Sequence, residues 1–317
     1  METTMHLPAT DSPTTPAAAA PANPLRAHPP RPWRRYLLRL TPALWLLPLL
    51  LILSIFTFGP LGWIVHGALS TDSGWTLSRM QEIVTSSFYR QAFGNSLYLS
   101  FWSSVAGLLI AGMAAASLRR VGGRVRNAVV ALTNMTSNMA GVPLAFAFIV
   151  ILGTNGAITL MLRQGLGLSG FNLYSMHGLL ATYIYFQLPL ALLLLYPAFD
   201  NLRDDWRDAA SLLGASTLRY WWHVAMPVLA PALIGTFMLL FANAMGAYAT
   251  AFALTSGNYN LLTIRIASLV AGDIFLEPET AAALSILLML LLALIAWANQ
   301  LLLKRIRHGR PVGMDAR

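Results

Sequence analysis

Cysteine is absent from this chain, and charged residues are scarce. None of the 317 residues is Cys and only 10% are Asp, Glu, Lys or Arg, against about 25% in a typical soluble protein. Without cysteine there can be no disulfide, no thiolate nucleophile and no Cys-based metal site. The sequence also shows no catalytic dyad and no cluster of other metal ligands, so we expect no catalytic residue, no metal and no cofactor.

Lysine occurs once, and this excludes a common ATP-binding motif. A phosphate-binding loop has the pattern Gly-x-x-x-x-Gly-Lys-Ser/Thr, whereas Lys304 stands between Leu303 and Arg305. No connection between the apolar segments is long enough for a nucleotide-binding domain. The chain is therefore not expected to hydrolyse ATP, and any ATP-driven activity would need another subunit.

Apolar residues make up 56% of the chain and lie in long blocks. Such blocks are typical of membrane helices, which need about 20 apolar residues to cross about 30 Å of hydrocarbon. We predict an all-α membrane protein with six transmembrane helices, at 42–68, 95–118, 127–152, 177–199, 228–254 and 280–303. The Gly-rich segment 154–172 is expected to be an outer loop with room for a short interfacial helix.

The distribution of basic residues predicts the orientation. The net charge is +9, and all but four of the 21 lysines and arginines fall in the two tails or in connections on the same side as the tails; the exceptions are Arg79, Arg90, Arg163 and Arg265. Because cytoplasmic loops carry an excess of Lys and Arg, both termini are expected in the cytoplasm. The basic side then faces anionic lipid headgroups, and no nucleic-acid partner is expected.

Composition divides the chain into three parts. Residues 1–35 are rich in Pro and Ala and cannot bury a core, so we expect a disordered cytoplasmic tail. The apolar stretch 40–69 is too long for a cleaved signal peptide, and we interpret it as an uncleaved first span. The six-span domain is predicted at 36–308, and 309–317 form a cytoplasmic C-terminal tail.

Intramembrane charge, which many carriers need, is missing from the predicted spans. All twelve acidic residues lie in loops or tails, and His66, near the outer end of the first span, is the one plausible titrating group. Two alternatives to an externally driven transporter make different predictions. An ion-coupled carrier or channel predicts intramembrane carboxylates or two inverted halves, and a membrane-embedded enzyme predicts convergent polar groups at one depth; the sequence shows neither.

The connection between the fourth and fifth spans has the pattern of a helix, a glycine bend and a second helix. Asp204 and Asp205 favour a helix N-terminus, and Gly214 can take the positive φ that ends a helix. A second amphipathic stretch, 218–224, leads to the fifth span. One face of the first helix is expected to carry Trp206, Ala209, Ala210 and Leu213.

This loop resembles the cytoplasmic signature of permease subunits of binding-protein-dependent ABC importers. That signature is Glu-Ala-Ala, three residues, Gly, nine residues and Ile-x-Leu-Pro. The spacing is kept here, with Asp for Glu, Val for Ile and Met for Leu, in Asp208-Ala209-Ala210, Gly214 and Val224-x-Met226-Pro227. The resemblance covers roughly residues 90–303. It implies a type I permease bundle with a cytoplasmic coupling-helix elbow; the alternative is a surface helix hairpin with no partner.

In that family the elbow docks into a groove on the ATPase. The resemblance implies that Asp208 pairs with a basic or donor group there, that Ala209 and Ala210 permit close packing, and that Gly214 makes the bend before Pro227. It also implies three kinds of partner in the bacterial inner membrane: a pair of ABC ATPase subunits, a second permease subunit that is homologous or identical, and a periplasmic solute-binding protein.

Polar residues in the predicted spans are few and should face the bundle; they are Asn134, Asn138, Tyr183, Tyr185, Gln187, Asn243, Tyr248 and Asn299. Asn138, Asn243 and Tyr248 are the candidates for the translocation path, with interhelical hydrogen bonding as the alternative. The segments at 246–250 and 264–267 look most like the spermidine/putrescine branch, which has relatives for iron, thiamine and phosphonates. The resemblance therefore implies a small hydrophilic solute, selected mostly by the binding protein.

Overall fold

The computed structural model describes residues 32–71, 74–166, 172–271 and 276–308. The predicted tails, apart from residues 32–35, lie outside the described residues. The regular secondary structure of the described residues is helical apart from one short antiparallel pair, β1 (Ser70–Thr71) and β2 (Gly74–Trp75). The α-helices are α1 (Pro32–Leu69), α2 (Ser78–Thr85), α3 (Ser87–Leu118), α4 (Gly123–Ser137), α5 (Val142–Leu152), α6 (Ala157–Leu166), α7 (Met176–Asp200), α8 (Asp204–Leu212), α9 (Thr217–Tyr220), α10 (Met226–Gly246), α11 (Ala249–Thr255), α12 (Leu262–Ala271) and α13 (Pro278–His308). A π-helical turn, Trp221–Ala225, joins α9 to α10.

Within the described residues, six helical stretches are long and apolar enough to cross a membrane, which confirms the predicted number of spans. They are Leu46–Leu69, Ser87–Leu118, Val142–Gly165, Met176–Asp200, Thr217–Gly246 and Pro278–Lys304. The chain divides into two compact units at Phe58. In the first, residues 46–58 of α1 are exposed; the second, from Gly59 onward, contains the helix bundle.

Two predicted spans are broken, which the sequence analysis did not anticipate. The segment 127–152 is interrupted between α4 and α5, where Gly141 adopts φ +88° and Pro143 follows in the first turn of α5. The segment 228–254 is interrupted between α10 and α11, where Ala247 is extended. The segment 154–172, predicted as a loop with room for a short helix, contains α6, and the third apolar stretch, Val142–Gly165, runs into it. An apolar run shows which residues avoid water, but it does not show where a backbone conformation ends a helix.

The core of the second unit is formed by α3, α7 and α10 packed along one another. Small side chains allow this close approach. An added Cβ at Gly107 of α3 would lie only 3.3 Å from the Cβ of Gln187 on α7. The shared cluster includes Ala111, Ala191 and Leu240. The three helices therefore meet with almost no room for a larger side chain at Gly107.

A fully buried amide joins the same three helices. Gln187 has no exposed surface, and its amide nitrogen donates to the backbone carbonyl of Leu240 on α10 at 2.9 Å. Its amide oxygen accepts from the hydroxyls of Ser103 and Ser104 on α3 at 2.9 and 3.1 Å. An unpaired amide is costly away from water, so these bonds explain how a polar residue is accommodated at the centre of the bundle. The prediction that polar residues face the bundle is confirmed for Gln187.

Candidate functional site

The predicted elbow is present, with a well-defined bend. Helix α8 begins with two aspartates in its first turn, and Gly214 follows its C-terminus with φ +75°. The amide of Gly214 donates to the carbonyl of Ser211 and that of Ala215 to the carbonyl of Ala210, both at 2.9 Å. This is the Schellman pattern, which a left-handed glycine permits. Ser216 then caps α9 by accepting from the amide of Arg219 at 3.3 Å.

Helix α8 presents three different faces. Trp206 and Ala210 pack against the bundle. Leu212, and Leu213 just beyond the helix end, are 89% and 87% exposed, and Ala209 is exposed near them. A third face lines a cavity between α8 and the end of α3, and it carries Asp204, Arg207, Asp208 and Ser211.

The expectation that Trp206, Ala209, Ala210 and Leu213 share one face is therefore wrong for two of them. Leu213 follows the last helical residue and is exposed. Ala209 lies at the edge of the face that carries Trp206 and Ala210, and it is exposed to solvent. The structure places Asp208 on the cavity face, exposed, and Pro227 in the first turn of α10.

Arginines from the neighbouring helices hold the base of the elbow. The guanidinium of Arg119, just after α3, donates to the carboxylate of Asp204 at 3.0 Å and also to the carbonyl of Leu202. Arg126 of α4 lies 3.7 Å from the carboxylate of Asp200. Asp204 and Asp200 are largely or partly exposed in these pairs, and surface ion pairs typically contribute about 0–1 kcal/mol each. The inward packing of Trp206 and Ala210 adds to them in positioning α8.

The two helix breaks contact each other, and this arrangement was missed by the sequence analysis. The backbone amide of Gly141 donates to the hydroxyl of Thr250 at 3.1 Å. The phenol of Tyr183, which is 1% exposed, donates to the carbonyl of Ala247 at 2.8 Å. Backbone groups that a break leaves unpaired must find partners within a membrane, and these two side chains supply them. The sequence Gly-Val-Pro at 141–143 is a signal that predicts the first break.

The three predicted path residues lie around these breaks, and no hydrogen bond joins their side chains to one another within the described residues. Asn138 ends α4 and Asn243 lies one turn before the break in α10, and both are exposed. Tyr248 occupies the second break, half-buried, with its ring centroid 5.2 Å from that of Phe252. Asn138 and Asn243 therefore face away from the core of their own chain, unlike Gln187.

Hydrogen bonding distinguishes the two asparagines. The Asn138 amide donates to the carbonyl of Asn134, one turn earlier, at 2.9 Å. Asn243 forms no side-chain hydrogen bond to any residue within the described ranges. The alternative of interhelical hydrogen bonding is thus not seen for either residue in this part of the chain.

Comparison with known proteins identifies the family. Residues 107–308 match the family described as binding-protein-dependent transport system inner membrane component. The chain belongs to this family. The match includes the whole elbow and both helix breaks, and it makes the chain the permease subunit of an ABC importer. Such a subunit is a non-catalytic inner-membrane component, and ATP hydrolysis belongs to a separate subunit, as the sequence predicted.

Two relatives differ in the solute that their names give. A putative 2-aminoethylphosphonate transport system permease protein of Salmonella typhimurium is 32% identical over 208 residues, which are 62% of this chain and 70% of the relative. The thiamine transport system permease protein of Escherichia coli is 29% identical over 217 residues, 66% of this chain but only 40% of that relative. Neither name points to a polyamine.

A solved structure confirms the fold. The permease resembles a chain from a bacterial ABC transporter involved in the import of the acidic polysaccharide alginate. The TM-score is 0.69 with 16% sequence identity, and the match covers 86% of the permease and 98% of that chain. A likeness at this identity shows the fold alone.

Proposed function

We propose that the permease imports a small hydrophilic solute by docking its elbow onto a separate ATPase. The observation that carries this proposal is the outer face of α8, where Leu212 and Leu213 are nearly fully exposed beside the small Ala209. Adjacent exposed leucines on a defined helix are typical of a protein interface. In this proposal Asp208 pairs with a donor on the ATPase at the edge of that face, and Gly214 keeps the elbow bent.

The basic residues near the elbow indicate the orientation of the permease in the membrane. Arg119, Arg120, Arg124 and Arg126 lie there with the elbow, and positive residues favour the cytoplasm. We therefore place the elbow and both termini on the cytoplasmic side. A pair of ATPase subunits would act on the elbow of this chain and on that of a second permease subunit, while a periplasmic binding protein delivers the solute to the opposite side.

The translocation path is proposed to follow the exposed polar face around the helix breaks. Asn138 and Asn243 face away from their own core, so a second permease subunit packed on this face would enclose them with Tyr248. The broken helices α5 and α11 supply polar backbone at the same place, and irregular backbone at membrane depth is tolerated where it lines a cavity. The second subunit is required in this proposal, because one chain leaves the path open on one side.

The solute is proposed only as a class. The names of the relatives cover 2-aminoethylphosphonate and thiamine, and the polyamine specificity expected from sequence has no support among them. Calorimetry on the cognate binding protein with 2-aminoethylphosphonate, thiamine and spermidine distinguishes these solutes. Tight binding of spermidine alone would restore the polyamine assignment.

Co-purification tests the docking surface. Asp208→Arg and Gly214→Pro are expected to reduce both recovery of the ATPase with the permease and ATP-dependent uptake at least tenfold. Arg124→Asp is the control, because it makes a charge change of the same size at an exposed position outside the elbow. Unchanged recovery and uptake for both elbow variants would contradict the proposal. Uptake that collapses with a protonophore but not with ATP depletion would favour an ion-coupled carrier instead.

A further inference from the structure

A polar cavity lies between the elbow and the end of α3. Its volume is about 530 Å³, and its lining comes from three places in the chain: the residues after α3, the third face of α8, and the junction of α9 with the π-helical turn that follows it. The lining residues are Arg119, Arg120, Asp204, Arg207, Asp208, Ser211, Tyr220 and Trp221. Asp208 belongs both to this cavity and to the proposed ATPase contact, whereas the exposed Leu212 and Leu213 are not part of the cavity lining.

The charges on the lining leave a positive excess. Arg119 and Asp204 neutralise each other through a 3.0 Å ion pair. Of the remaining charged groups, Arg120 and Arg207 are positive and Asp208 is negative. Neither arginine forms an ion pair with any residue that the structure describes, so their guanidinium donors stay available. Ser211 uses its hydroxyl on the carbonyl of Asp208 at 2.7 Å.

Two aromatic residues add donors to the same cavity. Tyr220 is 6% exposed, and its hydroxyl forms no hydrogen bond to another residue within the described ranges. Trp221 is half-buried beside it, with the ring centroids 6.3 Å apart. Trp and Tyr are enriched where a membrane meets water, and both offer an N–H or O–H group to an acceptor.

The depth of the cavity in the membrane follows from α3. Leu118 is the last residue of an apolar helix of 32 residues, and Arg119 and Arg120 follow directly. The cavity therefore lies where the hydrocarbon ends and the headgroups begin. Planar guanidinium groups match phosphate oxygens in bidentate geometry.

We propose that this cavity binds a phosphate group, with an anionic phospholipid headgroup as the source that its depth favours and free phosphate as the other source. The phosphate is held by Arg120 and Arg207, with Tyr220 and Trp221 as neutral donors. Asp208 opposes binding and limits the affinity. A headgroup bound here braces α8 against α3, so the lipid composition of the membrane sets how firmly the elbow is held.

The test measures lipid binding by the purified full-length permease. Native mass spectrometry counts retained phosphatidylglycerol and phosphatidylcholine in parallel titrations, and a thermal-shift titration with inorganic phosphate forms a third arm. An arginine near an anionic surface contributes about fivefold in affinity. We therefore expect Arg120→Gln with Arg207→Gln to weaken phosphatidylglycerol binding roughly 25-fold, while phosphatidylcholine binding is unchanged.

Matched variants separate this site from general surface charge. Arg124→Gln removes an exposed arginine at the same end that does not line the cavity, and it should leave binding within twofold of the unmodified permease. Arg207→Gln alone, at an exposed position, is the second variant should the double variant misfold, with about a fivefold loss expected.

Each result of these measurements either supports or overturns the proposed phosphate site. Selective loss of phosphatidylglycerol binding in the cavity variants supports a headgroup site, and selective loss of inorganic phosphate binding supports a free-phosphate site. An equal loss in Arg124→Gln, or no preference for phosphatidylglycerol together with no phosphate binding, overturns the proposal. None of these arms requires the ATPase or the solute, so the result is independent of the docking proposal.

Discussion

The contact between Gly107 and Gln187 makes the packing of α3 on α7 testable with one methyl group. In Gly107→Ala the new Cβ would lie 3.3 Å from the Cβ of Gln187, so the two helices must separate by a few tenths of an ångström. That separation would lengthen the bonds from the Ser103 and Ser104 hydroxyls to the Gln187 amide oxygen, which at 2.9 and 3.1 Å already lie near the upper end of the usual O–H···O range of about 2.5–3.0 Å. Overpacking of this kind typically costs about 1–3 kcal/mol, whereas Ala in place of Gly within a helix gains about 1 kcal/mol.

Gly112 on the same helix is the matched control. An added Cβ there would lie 3.9 Å from the Leu195 side chain, an ordinary contact, so Gly112→Ala should keep the helix-propensity gain of about 1 kcal/mol. The two alanine variants should therefore differ by about 1–3 kcal/mol, with Gly107→Ala the less stable. Thermal unfolding in detergent, followed by size-exclusion chromatography, measures the difference. A midpoint for Gly107→Ala equal to or above that of Gly112→Ala would refute the reasoning.

Three further substitutions test the breaks and the bend by the same unfolding measurement. Tyr183→Phe removes the bond to the Ala247 carbonyl and should cost about 0.6 kcal/mol, with an upper limit of about 1.7 kcal/mol; an unchanged midpoint would show that the carbonyl finds another partner. Gly141→Ala forces a side chain into φ +88°, ψ −143°, a region that essentially only Gly adopts, and should cost about 1–3 kcal/mol, whereas Gly235→Ala, within α10 with open space around it, should be neutral or stabilising. Gly214→Ala should destabilise the elbow by about 1–2 kcal/mol, and Gly214→Asn should cost less because Asn tolerates this conformation; equal costs would argue against a strained bend.

The sequence predicted the spans because their cause is local. A run of about 20 residues without charge is what the hydrocarbon requires, and that requirement is visible in composition alone. The elbow was predictable for a similar reason, since Asp204, Asp205 and Gly214 mark the start and the end of α8 through their own backbone preferences.

The helix breaks depend on residues far apart in the chain, so composition could not show them together. Ala247 has no intrinsic tendency to end a helix, and the phenol that pairs with its carbonyl comes from Tyr183, 64 residues away. The break at Gly141 carries a local signal in the Gly-x-Pro sequence, but its partner Thr250 is 109 residues away.

The positions of Asn138 and Asn243 show a second limit of prediction from the sequence. The reasoning that polar side chains face the interior holds for a complete bundle, and it holds here for Gln187. Asn138 and Asn243 face away from the core of this chain, which is consistent with a complete bundle that contains more than one subunit. A sequence indicates that a polar residue avoids lipid, but it does not indicate which subunit packs over that residue.

The exposed pair Leu212 and Leu213 also has a consequence for how the permease is made in the cell. A newly inserted chain exposes this apolar patch until another protein packs on it. Exposed apolar patches promote aggregation. We therefore expect quality-control proteases to remove permease that is synthesised without its ATPase. Pulse-chase labelling should show a shorter half-life when the ATPase gene is deleted, and Leu212→Ser with Leu213→Ser should lengthen it; an equal half-life with and without the ATPase would contradict this expectation. The feature that permits docking would then also keep the two subunits in matched amounts.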